Sequence, residues 1–291
     1  MYRRDVILGF TLMAVLFGVI FIALMILMTS EMKGIHVSTE SVAIIEVTGT
    51  IINPMPVVQN LERCIKNDNI PAIVIRLNTP GGGISATQEI YETIKKARSN
   101  GKKVIASMGS IAASGGYYIA AACDSVVATP GTITGSIGVI AKFTELSELF
   151  EKLGISFNIR KSGKFKDTGS TTRKMTEEEE ELIDSVIMDS YEQFVEAVSE
   201  GRNLDPDYVR KYADGRVFTG RQAFELGFID RLGTYQDAID LAGNMVGLGV
   251  DPPTYKEHGN LFWDIIFDGM SQVVTKGMEL AAPGIAYMWL N

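Results

Sequence analysis

The chain has 291 residues, of which 46% are apolar, and a formal net charge of -8. This length and composition are sufficient for one sizeable folded domain with accessory segments, and they exclude a disordered chain. The pI near 5.0 and the lack of a basic stripe interleaved with aromatic residues argue against nucleic-acid binding. The two cysteines are too few for a disulfide framework.

The N-terminal segment predicts a membrane anchor. Residues 6–28 carry no charge and are long enough to cross a bilayer as a helix. This apolar run exceeds that of a secretory signal, and no Ala-x-Ala cleavage site follows it. Because Arg3 and Arg4 precede the span, residues 1–5 are predicted to be cytoplasmic and the chain after residue 28 to lie outside the cytoplasm. Residues 29–41 are predicted to form a linker.

Residues 42–250 are predicted to form the folded domain, because β-rich and helical patterns alternate along much of this region. The alternation predicts an α/β domain with largely parallel strands and crossover helices. Thr176 is predicted to cap a long helix with an acidic first turn. Strands are predicted at 42–51, 70–77, 103–107, 125–129 and 155–160, a turn at 110–113, and helices at 57–67, 85–98, 115–122, 146–153 and 205–212.

The Pro252-Pro253 pair is predicted to end the compact part. Residues 251–291 form a predicted tail, in which apolar residues between Phe262 and Met278 recur at helical spacing. The apolar stripe of such an amphipathic helix could cover its own domain, a neighbouring subunit or a membrane surface.

Ser114 is the most informative residue of the chain. Small residues surround it in 109–118 (GSIAASGGYY), which permits a strained turn and close approach of a substrate, although a serine at a helix start is commonly only an N-cap. The two histidines, His36 and His258, lie outside the apparent core, so a nucleophilic serine needs another base. A lysine is the natural substitute.

Lys166 is the best candidate for that base, which must be desolvated so that its amine is neutral. Ser136 is a candidate to hold the amine in line, although a serine in a turn is commonly structural. Gly82, in the triple glycine after the second predicted strand, and Gly115 are candidate oxyanion donors, because glycine allows backbone N–H groups to point into a site.

Five segments together resemble the signal peptide peptidase A (SppA) family in order and spacing, and the likeness runs from about residue 42 to residue 247. The segments are 78–83 (NTPGGG), 109–118 (GSIAASGGYY), 134–139 (TGSIGV), 162–167 (SGKFKD) and 214–221 (DGRVFTGR). The resemblance implies a membrane-anchored serine protease with a Clp/crotonase-like fold and without a cofactor or metal. One departure is visible, since residues 169–173 read GSTTR where family members often have a proline.

The resemblance also implies residue roles. Ser114 matches the nucleophile, Lys166 the general base, Ser136 the hydroxyl that orients the lysine, and Gly82 and Gly115 the oxyanion donors. In the double-length form of the family the serine and the lysine lie in different halves of one chain. A short chain is therefore expected to form a cyclic homo-oligomer that brings Ser114 of one subunit to Lys166 of its neighbour.

The sequence thus predicts a membrane-anchored serine endopeptidase that degrades hydrophobic peptides, with cleaved signal peptides as the expected substrates. Two alternatives stay open at this stage: a related Ser-Lys protease that clips a specific membrane protein, and a catalytically silent membrane scaffold. A crotonase-type CoA enzyme is disfavoured by the anchor and by the Ser114–Lys166 pair.

Overall fold

The computed structural model describes residue 18 and residues 39–256. The predicted span at 6–28, apart from residue 18, and the predicted tail helix beyond residue 256 lie outside the described residues. Within the part of the chain that is described, no helix is both long enough and apolar enough to cross a membrane.

Strands and helices alternate strictly from residue 42 to residue 128 and again from residue 217 to residue 256. The strands are β1 (Val42–Thr48), β2 (Ala72–Thr79), β3 (Lys103–Ala113), β4 (Ser125–Ala128), β5 (Ile133–Gly135), β6 (Val217–Thr219), β7 (Arg231–Leu232) and β8 (Thr254–Lys256). The helices are α1 (Met55–Lys66), α2 (Ile84–Ser99), α3 (Gly115–Ala121), α4 (Ser147–Lys152), α5 (Glu177–Arg202), α6 (Pro206–Tyr212), α7 (Gly220–Glu225) and α8 (Tyr235–Met245).

The eight strands form one sheet in the order β6-β5-β3-β2-β1-β8, with β4 beside β3 and β7 beside β4. Every pairing is parallel except that of β5 with β6. The central strands β1, β2 and β3 are rich in Val, Ile and Ala and largely buried, as expected when helices cover both faces of a parallel sheet. The predicted α/β fold with largely parallel strands is confirmed.

Helices supply the apolar surfaces that bury the sheet. Ala238 and Ile239 of α8 pack with Val42, Ile44 and Val74, whose side chains share one face because they alternate along their strands. The intervening side chains of β1 and β2 point to the other face, on the side of α1, α2 and α3. The sheet thus holds the ends of β2, β3 and β5 in a fixed arrangement.

Strand β3 is longer than the sequence predicted, since residues 110–113 continue the strand instead of forming a turn. β2 and β3 pair at Leu77 with Met108 and again at Thr79 with Ala112, so β3 carries two extra residues between these pairs. This bulge lets β3 leave β4 and continue beside β5. As a result, β3 ends directly before Ser114.

Two further predictions were wrong in their boundaries or type. Residues 155–160 are not a strand, because their alternating apolar pattern meets no neighbouring strand among the described residues and a lone strand cannot pair its backbone. The compact part also extends past residue 250, because β8 pairs in parallel with β1, with Val42 opposite Thr254.

Candidate active site

Ser114 occupies a sharply bent position between β3 and α3. Its φ of 52° and ψ of -120° are unusual for a residue with a side chain and are energetically unfavourable. Two backbone hydrogen bonds hold the bend: Ser114 N donates to Gly135 O at 2.8 Å, and Tyr118 N donates to Ser114 O at 2.9 Å. The strand-to-helix turn expected for an exposed nucleophile is therefore present.

The structure brings Ser136 beside Ser114. Ala113 of β3 pairs with Gly135 of β5, and the two serines directly follow this pair. Ser136 also has a φ of 52°, is half-buried, and donates its N–H to Arg216 O at 2.8 Å. Two strained serines thus lie next to each other at the ends of neighbouring strands.

The triple-glycine segment packs against the Ser114 turn. A Cβ at Gly81 would lie 2.7 Å from the backbone N of Gly115 and 2.8 Å from Ser114 Cβ, so no side chain fits there. Both residues that flank Gly82 hydrogen-bond to Ile51, which turns the N–H of Gly82 to the opposite side of the segment. Neither the Gly82 nor the Gly115 N–H donates to another group within residues 39–256. These free donors have the character that an oxyanion site requires.

An apolar pocket opens beside Ser114. Its walls, besides the two glycines, are Ile84, Thr87, Tyr118, Gly138, Val139, Ser190 and Phe194. The rings of Tyr118 and Phe194 lie 4.8 Å apart between centroids. The hydroxyl of Thr87 is buried and has no hydrogen-bond partner within the described part of the chain. The lining of this pocket suits an apolar group.

Sequence reasoning did not identify these pocket residues. Tyr118 could have been found, because it follows Ser114 by four residues on a predicted helix and therefore lies over the same turn. Phe194 and Val139 carry no such signal, since they reach the pocket from elements far away in the sequence.

Lys166 is not part of this site in the single chain. It lies between α4 and α5, where no residue of 153–176 belongs to a helix or strand, and its side chain is exposed. It does not line the pocket that contains Ser114. The Ser114 hydroxyl, correspondingly, has no hydrogen-bond partner among residues 39–256. The desolvated environment that a lysine base needs is absent around Lys166 in one chain.

A larger open cavity, of about 420 Å³, lies at the start of α8. Arg76, Ser110 and Tyr235 contribute to its walls, and Ser114 does not. Size alone does not identify the reactive site. The smaller pocket combines the strained serine with the two free N–H groups, and it is therefore the candidate active site.

Comparison with known protein families agrees with this geometry. The sequence profile of the Clp protease family matches residues 40–133. The profile of peptidase family S49 matches residues 96–249, which is more than half of the chain. The chain belongs to peptidase family S49. This membership confirms the resemblance to the SppA family and supports a serine-type protease.

Several relatives of this S49 peptidase have been named. A candidate protease of Synechocystis sp. is 46% identical over 213 residues, which cover 73% of this chain and 76% of that protein. Protease 4 of Haemophilus influenzae is 31% identical, over 70% of this chain and 35% of that protein. The chloroplastic serine protease SPPA of Arabidopsis thaliana is 35% identical, over 67% of this chain and 29% of that protein. The chain thus spans only about a third of the latter two relatives.

Among solved structures, the S97A mutant of the membrane-bound stomatin-specific protease 1510-N superposes with a TM-score of 0.52. The alignment covers 76% of this chain and 99% of that one at 17% identity. At this identity the likeness shows the fold alone.

Proposed function

We propose that this S49 peptidase is a serine endopeptidase with a Ser-Lys dyad. The observation that carries the proposal is the strained turn at Ser114, which faces an apolar pocket and lies against the free N–H groups of Gly82 and Gly115. A strained serine beside two unpaired donors is the arrangement that acyl transfer requires.

In this mechanism the Oγ of Ser114 attacks the carbonyl carbon of the scissile peptide while its proton passes to the neutral Nζ of Lys166. The N–H groups of Gly82 and Gly115 donate to the oxyanion that forms. The protonated lysine then gives its proton to the leaving amine. In the second step a water molecule attacks the acyl group while its proton passes to the lysine, which returns the proton to the departing Ser114 Oγ. The hydroxyl of Ser136, beside Ser114, orients the lysine amine.

The lysine in this dyad comes from a neighbouring subunit. Two observations support this arrangement: Lys166 is exposed in the single chain, and the surrounding segment exposes an unusual number of apolar side chains. Such a surface typically marks a protein interface. A cyclic homo-oligomer would bury these side chains and deliver Lys166 to the pocket of the next subunit. The apolar side chains are Ile140, Phe143, Leu149, Leu153, Ile155, Phe157, Ile159 and Phe165.

The substrates are hydrophobic peptides, and leftover signal peptides are the class that fits best. The apolar walls contributed by Ile84, Tyr118 and Phe194 support this specificity, because they favour an apolar side chain next to the scissile bond. In this proposal the apolar segment at residues 6–28 is a membrane anchor that holds the domain on the extracytoplasmic side.

The test is hydrolysis of synthetic signal peptides by the purified full-length protein in detergent, with fragments identified by mass spectrometry. We expect Ser114→Ala and Lys166→Ala each to lower kcat at least about 1,000-fold, since members of a catalytic unit fail together. Lys66→Ala, which removes another exposed lysine on α1, away from the proposed subunit contact, is the matched control and should keep full activity.

Full activity in Lys166→Ala would exclude the dyad. A wild-type protein that cleaves one folded membrane protein but no signal peptide would instead favour the protease with a specific membrane substrate. A wild-type protein that cleaves neither, and that does not react with a fluorophosphonate at Ser114, would favour the silent scaffold.

A further inference from the structure

Arg173 bridges two carboxylates in the segment that carries Lys166. Its Nε and Nη2 donate to the two carboxylate oxygens of Asp167 at 3.0 and 2.8 Å. Its Nη1 and Nη2 donate to those of Glu179 at 2.7 and 2.5 Å. The planar guanidinium of Arg173 thus makes two hydrogen bonds to each of the two carboxylates. The single ammonium group of a lysine cannot reproduce this arrangement.

The Glu179 end of this bridge is anchored in the fold. Glu179 is only 1% exposed and forms a capping box with Thr176 at the start of α5. Its carboxylate also accepts hydrogen bonds from Thr176 N at 2.9 Å and from the Thr168 hydroxyl at 3.3 Å. Hydrogen bonds from Arg173, and then from Thr176, lower the pKa of Glu179 to about 2. The carboxylate is therefore ionised at neutral pH.

The Asp167 end lies directly next to Lys166. The Asp167 carboxylate receives Arg173 and also Lys161 Nζ at 2.6 Å. Among the described residues, Lys166 itself makes one hydrogen bond, from its backbone N–H to Gly163 O at 3.2 Å. Residues 153–176 contain no helix or strand, so regular backbone hydrogen bonding does not hold this segment. These ionic contacts therefore fix the position of Lys166 relative to α5.

We propose that Arg173 is a positioning residue for Lys166. This inference rests on the proposed role of Lys166 as the base. Arg173 ties Asp167 to the buried Glu179, and this connection fixes where Lys166 lies relative to α5 and the direction in which its amine projects toward the next subunit. Arg173 does not line the pocket that contains Ser114. Its removal leaves Lys166 present but misplaced, and an error of about 1 Å in such a group costs about 100-fold in rate.

The experiment compares the peptidase activity of the full-length Arg173→Ala, Arg173→Lys and Asp167→Asn variants. We expect kcat to fall about 100-fold in Arg173→Ala with KM changed less than about threefold, because the substrate pocket is untouched. Millimolar guanidinium should restore part of the kcat of Arg173→Ala, and Arg173→Lys should stay low. Arg210→Ala is the matched control, since Arg210 also bonds two carboxylates, those of Glu192 and Asp207, away from Lys166.

Asp167→Asn separates positioning from folding, because it retains the hydrogen bonds between Arg173 and Glu179 and weakens the contacts of Asp167 with Arg173 and Lys161. If Arg173→Ala does not fold, a drop in kcat of folded Asp167→Asn supports the proposal and an unchanged kcat overturns it. A folded Arg173→Ala with normal kcat also overturns it, as does a partly folded Arg173→Ala whose kcat per folded molecule equals that of the wild type. If Lys166→Ala itself is active, the proposed dyad has failed, which is a separate result.

Discussion

At the scale of single residues, the site is marked by backbone strain. Among the described residues, four non-glycine residues have positive φ, and Ser114 and Ser136 are two of them. Each directly follows one member of the paired strand residues Ala113 and Gly135. Such conformations cost about 1–3 kcal/mol each and persist where the surrounding structure enforces them. The hydrogen bonds from Ser114 N and to Ser114 O supply that enforcement here.

This strain predicts that a substitution at position 114 can remove activity and still increase stability. Ser114→Gly should abolish peptidase activity and raise the free energy of unfolding by about 1 kcal/mol over Ser114→Ala. The gain is the strain that glycine avoids, about 1–3 kcal/mol, less the extra chain entropy of glycine, about 0.4–1 kcal/mol. Chemical unfolding of the two full-length variants measures the difference. Equal stability would show that the turn is not strained.

The sequence was sufficient to select Ser114, Gly82 and Gly115 as candidates, because small residues cluster where a strand meets a helix or loop. It could not predict that Phe194 closes the pocket, since that contact depends on how α5 packs against α3. It also could not supply the environment of Lys166, which one chain leaves in solvent. Local chemistry is thus readable from sequence, whereas contacts between distant elements and between subunits are not.

At the scale of elements, capping and pairing decide which patterns become structure. The predicted cap at Thr176 is confirmed, and its capping box begins the 26-residue helix α5. The β-like pattern at residues 155–160 failed because no strand lies beside it among the described residues. Strand β3 is longer than predicted, because residues 111–113 pair with a second strand, β5.

The buried end of the Arg173 bridge predicts how stability depends on pH. The pKa of Glu179 is lowered from 4.5 to about 2, so its contribution is complete above about pH 4.5 and is lost as the pH falls toward 2. Glu179→Gln should therefore be less stable than the wild type at pH 7, and the gap should close across that window. Thermal unfolding of both proteins at pH 7, 5, 4 and 3 measures the gap. A gap that stays constant with pH would contradict this role of the carboxylate.

At the scale of the whole molecule, the two members of the proposed dyad lie in separate and unlike parts of the described chain. One is a finished pocket with a strained serine, free N–H donors and apolar walls. The other is an exposed lysine on a segment rich in exposed apolar side chains, among them Leu153 at 63% and Phe157 at 50% exposure. A closed ring of identical head-to-tail contacts would join each pocket to the next lysine and bury these side chains.

The most direct test of this account is complementation between two inactive variants. Ser114→Ala and Lys166→Ala proteins, each inactive alone, are unfolded together, reassembled and shown by mass spectrometry to form mixed oligomers. If the dyad spans two subunits, random assembly joins an intact serine to an intact lysine at about a quarter of the interfaces, so we expect up to about a quarter of the wild-type activity. Verified mixed oligomers without activity would show that Ser114 and Lys166 act within one chain.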